Sequence, residues 1–161
     1  MTTLVTVSPH EIELLWRMQR EAFLPLLQKY RDYGTNPADV TLDELKHKLS
    51  RPEVCGCWFI LEDGERVGSV KVKRSASIRE GVPRFFLSGV FVLPALQGRG
   101  IAGRAIRLAE EKFPPADWLL YTIEQEPKNC HLYEKLGYRR NGDRMIVNER
   151  MTLIGYEKST L

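Results

Sequence analysis

The chain has 161 residues, of which 43% are hydrophobic and 28% are charged. That composition excludes a disordered polymer and predicts one soluble domain over residues 1–161, with room for a core. A formal net charge of +3 and a pI of about 8.8 suit a polyanionic ligand, but the excess is too small to argue for nucleic acid.

The first element is an alternating, β-rich run from Thr3 to Val7. Ser8-Pro9-His10-Glu11 reads as a capping box with proline at the first helical position. It predicts a helix that buries Ile12, Leu15, Met18 and Ala22 and is bent or interrupted at Pro25. Tyr30 to Val40 holds glycine, asparagine and proline and reads as a loop. Thr41-Leu42-Asp43-Glu44 is a second capping box, opening a short helix marked by Leu42, Leu45 and Leu49. Strands are expected over Cys57 to Leu61 and Arg66 to Lys73, joined by the hairpin signal Asp63-Gly64. The basic stretch Lys71-Val72-Lys73-Arg74 reads as the solvent face of that second strand. A polar loop over Ser75 to Pro83 leads to a strand from Arg84 to Val92.

A helix should follow the glycine-rich turn after Val92 and end before Pro114-Pro115. It is marked by Ile101, Ala105, Leu108 and Ala109 on one face. A strand over Trp118 to Ile123 and a short helix around Asn129 to Leu136 come next. Tyr138 to Val147 and Met151 to Glu157 form a closing pair of strands around Asn148-Glu149. The order β-α-α-β-β-β-α-β-α-β-β implies a mixed α/β or α+β sheet.

The most informative stretch is Val90-Phe91-Val92-Leu93-Pro94-Ala95-Leu96-Gln97-Gly98-Arg99-Gly100-Ile101-Ala102-Gly103. A strand, a glycine turn and a helix start together make an anion site. The first helical N–H groups lack internal partners and the helix dipole favours negative charge. Gly98 and Gly100 let backbone approach a phosphate, and Arg99 and Arg104 add charge, either as phosphate contacts or as solvated charges at the helix start. The turn is not a P-loop, since no lysine follows Gly103, and it lies too late in the chain for a dinucleotide fingerprint. Gln97-Gly98-Arg99-Gly100-Ile101-Ala102, preceded by Val92-Leu93-Pro94, resembles the acetyl-coenzyme A signature of the GNAT superfamily of N-acetyltransferases. Asn129-Cys130-His131-Leu132-Tyr133-Glu134-Lys135-Leu136-Gly137-Tyr138 resembles the same family's late motif, with Gly137 placed to end its helix at positive φ. The resemblance is strong from about Arg84 to Tyr138 and rests on the element pattern before and after.

The resemblance implies a GNAT-like fold and transfer of an acetyl group from acetyl-CoA to a primary amine of a small molecule or protein, by direct attack. It implies that Val90, Phe91 and Val92 hold the pantetheine arm through backbone groups. It further implies that Gln97, Gly98, Arg99, Gly100, Ile101, Ala102 and Gly103 wrap the pyrophosphate, and that Tyr133 protonates the leaving thiolate. The family's asparagine seven positions before the tyrosine is Glu126 here. Asn129 is the alternative coenzyme A contact, with helix-end capping as its competing role. Glu124, Glu126 and His131 are candidate general bases that also read as solvated surface groups; an ordered water is another candidate. The acceptor side falls to Glu21 to Val40 and the closing strands, where Asp32 could attract a protonated amine or be a solvated loop carboxylate.

An idle acyl-coenzyme A binding module on the same fold is the alternative, against which the intact Tyr133 argues. Cys55, Cys57 and Cys130 make neither a disulfide framework nor a four-ligand zinc site, so they are expected as small buried residues in a reducing compartment, with no metal. No run approaches a membrane span, and Met1 to Pro9 lack the core of a signal peptide. The expected compartment is the cytoplasm, the expected state a monomer or homodimer, with no nucleic-acid or membrane partner.

Overall fold

The computed structural model describes residues 1–161. Its elements are β1 (Thr2–Thr6), α1 (Ile12–Tyr30), α2 (Leu42–Leu49), β2 (Val54–Glu62), β3 (Glu65–Ser75), β4 (Arg84–Val92), α3 (Ile101–Glu111), β5 (Asp117–Ile123), α4 (Pro127–Lys135), β6 (Arg139–Ile146) and β7 (Thr152–Ser159). The strands form one seven-stranded sheet in the order β1-β2-β3-β4-β5-β7-β6. All neighbours are antiparallel except β4 and β5. The mixed α/β architecture and element order agree with those read from the sequence.

Local chemistry sets most of the element ends. At the first capping box, Glu11 Oε1 accepts from the Ser8 N–H at 3.2 Å and from its hydroxyl at 2.7 Å, and Pro9–Glu11 forms a 3-10 turn before α1. At the second, Thr41 and Glu44 exchange hydrogen bonds of 3.1 Å. The β2–β3 hairpin turns on Asp63 and Gly64, both at positive φ, as a two-residue turn matching strand twist requires.

Pro25 does not interrupt α1, which runs unbroken to Tyr30. Pro25 and Glu21, whose carbonyl the proline leaves without a helical partner, both lie on the exposed side, where water can take it. Packing of Leu15, Met18 and Ala22 against the sheet holds the helix on its other side. Tyr30, expected in the loop, is the buried last residue of this helix. On α3, Ile101, Ala105, Ile106 and Ala109 are buried, whereas Leu108 is only half-buried. The cysteines are free, and Cys55 is exposed rather than buried. No helix is long and apolar enough to cross a membrane.

The sheet's two faces are unequal. One carries α3 and α4 over a cluster of 20 buried residues that includes Trp58, Val70, Val72, Ile106 and Trp118. The other carries α1 and α2 over a cluster of six buried residues, centred on Phe59 and Phe91. Strand β3 supplies both: Val70 and Val72 face the larger core, and Ser69, Lys71 and Lys73 face α1 and α2.

Strands β4 and β5 pair at three positions only, Arg84↔Asp117, Phe85↔Trp118 and Phe86↔Leu119, and then part. The register between β3 and β4 jumps from Val72↔Leu87 to Lys71↔Gly89, leaving Ser88 as a bulge at the point of parting. The sheet survives the split because β3 continues to hold the other edge of β4, and β7 pairs with β5 along its whole length.

Ile106 has no exposed surface. Ile106→Ala should cost about 2–5 kcal/mol by lost burial and residual cavity. A urea titration should show the midpoint falling with the slope unchanged.

Candidate active site

Two joined cavities open where β4 and β5 part. The smaller, about 290 Å³, lies between α1, the end of β4, the glycine turn, the start of α3, and α4. The larger, about 460 Å³, extends under α1 and α2 along the face of β3 and reaches β5 and β7. Phe23, Leu26, Val90, Phe91, Asn129 and Tyr133 line both and mark the junction.

The exposed edge of β4 has a defined hydrogen-bonding pattern. The Leu93 N–H donates to the Val67 carbonyl at 2.8 Å, and the register continues Gly68↔Val92, Ser69↔Phe91, Val70↔Val90. Alternation in an antiparallel ladder then turns the backbone polar groups of Phe91 toward β3 and those of Val90 and Val92 toward the cleft. The Gln97 side-chain amide donates to the Val92 carbonyl at 2.9 Å, pinning the turn to the strand. Of the three residues expected to act through backbone groups, Phe91 therefore reaches the cleft with its ring alone.

The turn itself is built as an anion cradle. Gly98 and Gly100 take φ of 79° and 76°, a left-handed conformation that glycine adopts without strain. The N–H groups of residues 98–103 donate to no backbone acceptor, and they surround the N-terminus of α3. Gln97, Gly98, Gly100, Ile101, Ala102 and Gly103 line the smaller cavity; Arg99 is exposed and lines neither. Arg104 turns elsewhere: its Nε donates to the Thr2 hydroxyl at 2.9 Å, its Nη1 to the Arg99 carbonyl at 3.2 Å, and its Nη2 lies 3.5 Å from Glu62. It ties α3 to β1 and β2.

Tyr133 sits at the junction, on α4, whose end is fixed by Gly137 at φ 96° and by the Tyr138 N–H donating to the Tyr133 carbonyl at 3.0 Å. Its ring packs against Tyr138 and Tyr156 at 6.2 and 6.3 Å between centroids. Burial, with a smaller contribution from Cys130, pushes its phenol up to about 12. It is thus fully protonated at neutral pH. Asn129 lies on the same helix without capping it, and lines both cavities.

None of the three candidate bases lines either cavity. Glu124 is paired with Arg144 of β6, whose hydrogen bond holds its carboxyl below the usual range. Glu126 accepts from Lys29 and from the Tyr30 hydroxyl, both at 2.9 Å, and so anchors the end of α1 to the start of α4. His131 is exposed. The one carboxylate lining either of these two cavities is Asp32, which is buried and accepts from the Asn36 amide at 3.1 and 3.3 Å. Tyr33, its neighbour, is 67% exposed and lies outside.

Sequence reasoning places Lys71 and Lys73 in solvent, yet both line the larger cavity. Burial, then the nearby Lys73, lowers the Lys71 amine. The signal is present in the alternation: Lys71 and Lys73 share a face with Ser69, opposite Val70 and Val72. That α1 and α2 roof this face is not visible locally. No three side chains of His, Cys, Asp or Glu converge to hold a metal ion.

The 295 nm absorbance of the parent minus that of Tyr133→Phe should stay flat until the pH approaches about 12. Because folding raises this pKa above its unfolded value near 10, the stability the neutral phenol contributes is complete below pH ~10 and is lost as pH rises through ~12. A difference titration centred near pH 10 would contradict the buried site.

The family model for the Acetyltransferase (GNAT) family matches residues 14–138. No curated protein sequence matches the chain. The fold is shared with solved structures. An acetyltransferase of the GNAT family from Streptococcus agalactiae superposes with a TM-score of 0.78 at 15% identity, covering 99% of this chain and 96% of that one. An acetyltransferase from Thermus thermophilus gives 0.71 at 18% identity, covering 99% and 97%. The spermidine N-acetyltransferase of Vibrio cholerae, solved with CoA and spermine, gives 0.71 at 15% identity, covering 99% and 95%. With the family's model matching most of its length, and its strand, glycine turn and late helix assembled around one cleft, the chain belongs to the GNAT family of acetyltransferases.

Proposed function

We propose that the protein transfers the acetyl group of acetyl-CoA to a primary amine by direct attack. The observation that carries this reading is the joining of two cavities at Tyr133: one has a free strand edge and unpartnered amides, and the other has room for an acceptor. The donor set fits the cosubstrate, since amides at a helix start suit a diphosphate and an unpaired strand edge suits an amide-bearing arm.

Acetyl-CoA supplies the activated acyl group. The N–H groups of residues 98–103 hold the diphosphate, and Gln97 keeps their turn against β4. Val90 offers its N–H and carbonyl to the extended arm as a neighbouring strand would, and an N–H of this edge polarises the thioester carbonyl. Phe23, Leu26 and Phe91 give the junction an apolar lining. The acceptor nitrogen attacks as the neutral amine from the larger cavity; the C–N bond forms and the C–S bond breaks. The Tyr133 hydroxyl donates to the departing sulfur, and the proton released by nitrogen balances the one the thiol gains. Alignment of the two substrates supplies much of the rate.

Calorimetry should show acetyl-CoA binding, with the fold stabilised by roughly 2–3 kcal/mol at a hundredfold excess over Kd. Gly100→Asp should weaken binding by about 100-fold, because it places a carboxylate at the anion cradle and forces a side chain into φ 76°. Absence of binding to the parent at millimolar ligand would remove the reading.

Tyr133→Phe separates chemistry from binding. In a thiol-release assay, kcat should fall by about 10²-fold while acetyl-CoA affinity changes little. Unchanged kcat would reduce Tyr133 to a packed aromatic, and tight binding with no thiol release from any amine would leave a binding module.

A further inference from the structure

The larger cavity carries an imbalance of charge that the transfer reaction does not require. Lys48, Arg51, Lys71 and Lys73 line it, against a single carboxylate, Asp32. None of the four cations is in an ion pair, whereas the other two half-buried cations of the molecule, Arg84 and Lys158, are each paired, with Glu157 and Glu110. They come from different elements: Lys48 from α2, Arg51 from the turn after it, Lys71 and Lys73 from β3. Lys71 and Lys73 are half-buried, so they are not simply solvated arms on an outer face.

The placement of Lys71 is specific. It stands opposite Gly89 on β4, one residue before Val90, whose backbone faces the cleft. A Cβ at Gly89 would lie 3.8 Å from the Lys71 Cβ and Cε, ordinary contact distance, so the lysine stem lies alongside β4 at this position. Cys57, its partner on β2, and Ser69 add small polar groups beside it. A buried cation without a counter-ion is destabilising, and an anion brought by a ligand would relieve it. The same walls repel a polycation.

Resting on the acetyltransferase reading, we propose that the acceptor is a small primary amine carrying an anionic group close to its nitrogen, as in an amino acid, with Lys71 and Lys73 binding that anion while the amine faces the thioester. Lys48 and Arg51 extend the positive wall outward and suit a second anionic group or a longer acidic side chain. Asp32 and Asn36, on the α1–α2 loop, face the remainder of the acceptor.

The test compares charged acceptors with their neutral counterparts in the thiol-release assay. The α-amino acids and an amino-sugar phosphate are run beside the amino-acid amides, the unphosphorylated amino sugar and spermidine. An anion-bearing amine should be the best acceptor, and kcat/KM should fall at least about 30-fold when its anion is removed. Lys71→Met and, separately, Lys73→Met should raise KM for that acceptor by about 10-fold or more. They should leave KM for its neutral counterpart and the affinity for acetyl-CoA near the parent values. Preference for carboxylate over phosphate identifies the source of the anion. Spermidine as the best acceptor, or KM unmoved by both lysine substitutions, would overturn the proposal. Should no amine be acetylated, calorimetry with the same pairs reads the cavity alone: binding of charged members over amides upholds the anion site, and equal or absent binding overturns it. Failure of the acetyltransferase reading shows separately, as absence of acetyl-CoA binding.

Discussion

The parting of β4 from β5 is the constraint on which the rest of the molecule depends. Two parallel strands that pair at three positions and then diverge leave backbone donors and acceptors on both inner edges. Such groups need partners, from water or from a ligand, and each unmet bond in a dry site costs on the order of 1–3 kcal/mol. The protein does not close the gap with its own chain. It holds the gap open, with the Ser88 bulge bending β4, β3 and β7 bracing the outer edges, and α1 and α4 flanking the opening. An extended ligand with amide groups fits the gap as a strand would. The neighbouring glycine turn continues the same logic, since its amides too are left without internal acceptors.

The two faces of the sheet divide the remaining tasks. The α3–α4 face holds the large apolar core and fixes the start of α3, and therefore the cradle, against β1 and β2 through Arg104, Thr2 and Glu62. The α1–α2 face buries less and leaves space. A sequence selected for stability alone would place apolar side chains where Lys71 and Lys73 stand, because a half-buried, unpaired ammonium is costly. Local rules for strand and core are broken there, next to a cavity, which is where functional pressure is expected to override them.

How much of this is legible in the sequence follows from how local each signal is. The capping boxes at Ser8 and Thr41, the Asp63-Gly64 hairpin, the glycine turn and the Gly137 helix end are each set by a few contiguous residues, and each forms as read. The errors involve partners distant in sequence. Pro25 reads as a bend or an interruption, but α1 is not interrupted, because sheet packing holds it together on its buried side. Arg104 reads equally as a phosphate contact or a solvated helix-start charge, but its guanidinium is taken by Thr2, 102 positions away. Glu126 reads as a candidate base, but it is committed to Lys29 and Tyr30 across almost a hundred residues. The insertion of β7 between β5 and β6 likewise depends on strand pairing that no local pattern encodes.

The state of Tyr133 refines the proposed chemistry. A phenol held near 12 is a weaker acid than the same group in water, whereas an ordinary thiol lies near 8.5. Complete proton transfer from such a phenol to a thiolate is harder than from a phenol in water. The same burial that disfavours the phenolate also strengthens a hydrogen bond to developing negative charge, because water no longer competes for it. The geometry therefore favours a Tyr133 that stabilises the leaving sulfur by donating a hydrogen bond while keeping most of its proton, with net protonation completed as the attacking nitrogen gives up its own. On this account the hydroxyl matters chiefly as an oriented donor at the junction of the two cavities. Its position, fixed by the Gly137 turn and by the rings of Tyr138 and Tyr156, counts for more than its acidity.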